Sequence, residues 1–143
     1  MPYWIQGWIE TSTGPISDRP IWFATVNLSP LIDTGDEVSE KLFGLSKQIA
    51  RDPARMKDAL FARRGLPEDV SGIVQREVEQ GLKYPEEIRG YTHASVAEID
   101  RSGFVMDGFP KSDWSVVFKL IDDLLTDERF TKENLRFVVW SSW

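Results

Sequence analysis

The sequence contains no cysteine and one histidine, His93. The first absence removes thiol nucleophiles, thiolate zinc sites and disulfide frameworks together, and it fits a reducing, cytoplasmic setting. The second rules out a multi-histidine metal site. Carboxylates remain as ligands for hard cations, but no EF-hand spacing is present. No stretch approaches the ~20 apolar residues of a membrane helix. The N-terminus has neither the basic start nor the unbroken apolar run of a signal peptide. Glycine-rich phosphate loops, nucleophile elbows and HExxH motifs are also missing. No catalytic residue, metal or cofactor is therefore expected, and the balance leans away from an enzyme.

What is present is ordinary in amount and uneven in placement. A chain of 143 residues, 41% of them hydrophobic, reads as one globular domain over 1–143. It can hide roughly two thirds of its unfolded surface without a covalent staple. The net charge of −6 disfavours nucleic acid, which needs a basic surface. Segment 51–64, RDPARMKDALFARR, runs against this balance, with five basic and two acidic residues. It reads as a solvated helix face, with a basic patch on an acidic body as the alternative.

Residues 3–11, YWIQGWIET, alternate as a strand, with Tyr3, Ile5 and Ile9 on one side and Trp4, Gln6, Trp8 and Glu10 on the other. Turn-rich STGPISDRP follows, and IWFATVNL, 21–28, reads as the second strand of an antiparallel hairpin. Val38, Leu42, Leu45 and Ile49 predict a helix from Glu37 to about Ala50, and Ala54 to Arg63 another. Gly65 suits a helix C-terminal cap and Pro67 the first turn of a helix over 68–82. KYPEEIRGYTH reads as loop, and Ser95 and Glu98 as a capping box opening a short helix. Phe104–Met106 reads as an edge strand, 112–126 as a helix with Ser112 as its cap, and LRFVVWSSW as a terminal strand able to pair with the first. The fold class expected is α+β: a small antiparallel sheet, made of the N-terminal hairpin plus the C-terminal strand, packed with several helices on one side.

Trp4 and Trp8 lie ~13 Å apart in a strand, too far to stack on each other. With Gln6 between them, and Trp22 and Trp140 on neighbouring strands, they form a face suited to a flat ligand or a partner. The competing and preferred reading is that helices or another subunit cover this face, because tryptophans mostly pack. Arg19, Arg64 and His93 are the charged or titratable groups that would complete such a site. Against a Ser–His pair in Tyr91-Thr92-His93-Ala94-Ser95, Ser95 already has a capping role. Arg64 beside Pro67 reads as a structural junction, since Glu68 and Asp69 oppose an anion there.

The order of WIE, an aromatic strand, RGLPEDV, YTHASVAEI and a closing FVVW resembles a group of small phage, prophage and bacterial proteins. In that group an RGLP-D-V stretch precedes a His-Ser-Trp-like segment and an FVFW-like strand. This chain departs from the group in Met1-Pro2-Tyr3-Trp4-Ile5-Gln6, which lacks the acid and histidine of that first strand, at Val96 and at Ser141-Ser142. The resemblance implies an accessory phage or mobile-element protein and supplies no reaction. The functional expectation is a non-enzymatic binding protein acting on a host protein or small ligand. The alternatives are a small enzyme or nucleotide-binding domain with a site near the tryptophan face, Arg64 and His93, and a homo-oligomer joined through the tryptophans.

Overall fold

In a computed structural model of the chain, residues 3–12, 20–81 and 88–142 are described. Four antiparallel strands form one sheet: β1 (Trp4–Thr11), β2 (Phe23–Asn27), β3 (Ile88–Ser95) and β4 (Leu135–Ser142), in the order β2-β1-β4-β3. β1 and β4 pair along their whole lengths, from Trp4 opposite Ser142 to Thr11 opposite Leu135. As a central strand, β4 is buried on both faces, which explains its almost unbroken apolar composition. The close pairing also needs Gly7, since a Cβ there would stand 2.3 Å from the carbonyl oxygen of Val138.

The predicted hairpin and terminal strand are present, and the fold is a small α+β fold. Several boundaries differ. β3 arises from the stretch read as loop, because its pairing with β4 supplies what its own weak apolar pattern does not. The helix expected over 37–50 is two helices, α1 (Glu37–Phe43) and α2 (Lys47–Arg51). Gly44, at φ +67°, ends the first, and the Ser46 side chain caps the second. The stripe Val38, Leu42, Leu45 and Ile49 is nonetheless buried throughout. Pro53–Asp58 is a short 3-10 turn rather than the start of a long helix. α3 (Gly72–Gly81) starts later than expected, beyond a turn in which the Val70 N–H bonds the Pro67 carbonyl.

α4 (Val96–Arg101) carries the predicted box, with Ser95 Oγ accepting from the Glu98 N–H and Glu98 Oε1 from the Ser95 N–H. Phe104–Met106 is not a strand and leads into a 3-10 turn at Met106–Gly108. α5 (Trp114–Leu125) follows an Asp113 cap that makes no side-chain bond, while Ser112 Oγ accepts from the Trp114 N–H.

Helices cover both faces of the sheet, not one. On the first face Ile5, Ile9, Leu135, Phe137 and Val139 pack with α1, α4 and α5 through residues such as Leu42, Ile99, Trp114 and Val117. On the second, Val138 and Trp140 meet Val74 and Val78 of α3, with Trp8, Tyr91, Leu66 and Val70 at the margin. A stripe of two valines four residues apart is enough to seat one short helix. Among the described residues no helix is long and apolar enough to cross a membrane.

Candidate functional site

The tryptophan face is built from alternate residues of the two long strands, where a side-chain period of two brings Gln6 opposite Trp140 and Trp8 opposite Val138. His93 completes the second row from β3. Three indoles on this face, those of Trp8, Trp22 and Trp140, spend their N–H on a protein acceptor. Trp140 Nε1 donates to Gln6 Oε1 at 2.8 Å, Trp8 Nε1 to Glu77 Oε2 at 3.1 Å, and Trp22 Nε1 to Asp69 Oδ2 at 3.0 Å. Glu77 belongs to α3 and Asp69 to the turn before it, so two of these bonds fasten α3 to the sheet. Trp140 is buried, its ring 5.8 Å from that of Tyr91. Trp4, at the strand end, keeps 49% of its surface exposed.

Arg64 and His93 sit at the β3 edge. The segment 61–65 runs beside that strand, with Gly65 N–H donating to the Tyr91 carbonyl at 2.9 Å and Arg64 N–H to Thr92 Oγ1 at 3.2 Å. The Thr92 hydroxyl in turn donates to the Phe61 carbonyl. His93 Nδ1 lies 2.8 Å from the Gly65 carbonyl, which holds the ring in place if that nitrogen carries the proton. The Arg64 guanidinium pairs with Glu98 at 2.8 Å and lies over the Phe61 ring. Burial raises the Glu98 pKa, but the Ser95 N–H and the Arg64 charge outweigh it and hold the carboxyl below its usual range. Arg19 lies outside the described residues. The structure thus joins Gln6 to Trp140, and Arg64 to His93 through the 61–65 segment. Among the described residues it does not gather these groups with Trp4, Trp8 and Trp22 into one recess.

The most heavily bonded polar cluster on this face was not singled out as a site from the sequence. Glu10, fully buried, accepts from Arg136 Nε through Oε1 at 2.8 Å and from the Ser71 N–H through Oε2 at 2.8 Å. Arg136 reaches Asp69 Oδ1 at 2.8 Å and lies 3.9 Å above the centre of the Trp22 ring. Burial works against the Asp69 charge, yet the bond and charge of Arg136, with the Trp22 N–H, leave its pKa lowered. The available signal was Arg136 itself, an isolated charge inside an apolar strand, where an unpaired charge is costly. The cluster consumes its own hydrogen-bonding capacity and acts as a clamp on the α3 approach.

Of the recesses elsewhere on the described residues, two bear on the argument. One, of about 290 Å³, runs between α4 and α5 over Ile99, Phe104, Val105, Phe118, Ile121 and Leu125. Asp100, Asp122 and Lys132 also line it, and Lys132 bonds Asp100 at 3.0 Å. The other, of about 150 Å³, lies beside the ends of β1 and β4 and under α2. Among the described residues no cluster of three His, Cys, Asp or Glu side chains is placed to hold a metal ion. No protein-family model matches the chain, and no curated protein or solved structure matches it significantly.

Proposed function

We propose that the chain is a non-enzymatic interaction protein, of the accessory phage or mobile-element kind, which takes a basic amphipathic segment of a partner protein into the groove between α4 and α5. The groove itself carries this reading: an apolar floor of about 290 Å³ with two aspartates on its lining. A helix laid on such a floor anchors residues at helical spacing, while its flanks meet the charge of the rim. Val105 is 59% exposed there. Lys132 is engaged by Asp100, whereas Asp122 has no partner among the described residues. The chain's net charge of −6 favours encounter with a basic segment. The tryptophan face supports the same choice, since α3 packs over Trp140 and against Trp8, leaving Trp4 exposed at the strand end.

A fluorescent Leu/Lys peptide with its leucines at helical spacing tests this. It should bind, and a scrambled peptide of the same composition should bind at least about tenfold more weakly. Val105→Asp and Asp122→Lys should each weaken binding of the ordered peptide. Equal binding of both peptides, or an unchanged affinity in Val105→Asp, rejects the groove as the docking site.

A further inference from the structure

The smaller recess has a different chemistry. Leu45, Ile49 and Met56 give it an apolar lining, Tyr3 contributes from just before β1, and its volume is about 150 Å³. An apolar cavity of that size takes a body as large as benzene. Two positions on its wall are glycines. A Cβ on Gly90, at φ +74°, would stand 2.8 Å from Leu45 Cδ2, and one on Gly44 would stand 3.0 Å from Met56 Cγ.

Arg63 also lines the recess. It is the non-glycine residue with a left-handed backbone among those described, at φ 54°. Such a conformation persists where the surroundings over-determine it. Here they do: Leu60 and Phe61 N–H groups bond the carbonyls of Lys41 and Leu42, and Arg64 and Gly65 N–H groups are tied to β3. Arg63 belongs to the basic segment 51–64. In that segment Arg55 is paired with Glu40 and Arg64 with Glu98, while Arg63 meets no carboxylate among the described residues. A strained backbone therefore sets an uncommitted guanidinium at an apolar recess, and guanidinium is suited to bidentate recognition of a carboxylate.

We propose that this recess binds a small organic carboxylate, its carboxylate on Arg63 and its benzene-sized body against Leu45, Ile49 and Met56. The proposal is independent of the groove between α4 and α5. Phenylacetate is the probe, followed by amide chemical shifts in wild type, Arg63→Gly and Ala50→Leu. Benzyl alcohol supplies the body without the charge, and inorganic phosphate the charge without the body.

Phenylacetate should move the Gly44 and Gly90 amides, with benzyl alcohol and phosphate each at least about tenfold weaker. Arg63→Gly should keep the thermal midpoint, because glycine accepts the left-handed backbone, and should bind phenylacetate at least about tenfold more weakly. Ala50 also lines the recess, and Ala50→Leu should abolish binding by filling the space. If Ala50→Leu does not fold, Arg63→Gly decides. Unmoved Gly44 and Gly90 amides, equal binding of benzyl alcohol or phosphate, or wild-type affinity in Arg63→Gly overturns the proposal.

Discussion

Replacing Glu10 by glutamine removes one acceptor from a buried site that uses two. Both carboxylate oxygens are occupied, Oε1 by Arg136 and Oε2 by the Ser71 N–H, each at 2.8 Å. A glutamine side chain offers one oxygen and one N–H₂, so either the guanidinium or the Ser71 N–H faces a donor. Arg136, with 8% of its side chain exposed, would then rely on Asp69, whose side chain is 48% exposed. Breaking a buried ion pair costs about 3–5 kcal/mol. The surviving Asp69 contact places Glu10→Gln at the low end, near ~3 kcal/mol. At ~2–4 °C per kcal/mol for a domain of this size, the midpoint should fall by roughly 6–12 °C. Urea unfolding monitored by tryptophan fluorescence reads the same loss, and Trp22 lies in the affected cluster. The double variant Glu10→Met/Arg136→Met should recover much of it, since apolar replacement of a whole buried pair is often neutral. A Glu10→Gln protein within about 1 kcal/mol of wild type would refute the clamp, as would a double variant showing the full sum of the single losses.

Gly7→Ala should cost at least the upper end of the ~1–3 kcal/mol typical of overpacking, because its Cβ would meet the Val138 carbonyl and the Val139 backbone rather than a flexible side chain; a midpoint unchanged in calorimetry would contradict the register. Asp69 and Glu98 both have lowered pKa values in the fold. Their contribution is present above the unfolded values of ~3.9 and ~4.3 and is lost as pH falls through the lower folded ones. Acid titration of stability should therefore be shallower in Asp69→Asn than in wild type, and an identical profile would remove Asp69 from the account.

How far the sequence reaches depends on the range of each interaction. β1 and β4 are legible because alternation and β-branched or aromatic content are local properties. β3 is not, since Gly90, Thr92 and Ser95 dilute its pattern and its strand character comes from pairing with β4. The break between α1 and α2 had a local signal, a glycine two residues before a capping serine. The buried stripe of Val38, Leu42, Leu45 and Ile49 masked it. The two-faced character of β1 was readable, and what covers each face was not. Nothing local tells Val74 and Val78 to choose the tryptophan side. The bonds that enforce the choice, Trp8 to Glu77 and Arg136 to Asp69, join residues 69 and 67 positions apart.

The place of β4 in the sheet has a consequence for vectorial synthesis. The hairpin of β1 and β2 emerges first, but its inner edge waits for a strand ending at Ser142. Until then β3 has no neighbour in the sheet, and β1 shows a bare row of amide and carbonyl groups beside an apolar surface. Such an edge is a template for the wrong chain. The nascent protein is therefore most vulnerable to intermolecular pairing just before the middle of its sheet is supplied, and any chaperone contact should matter most in that interval.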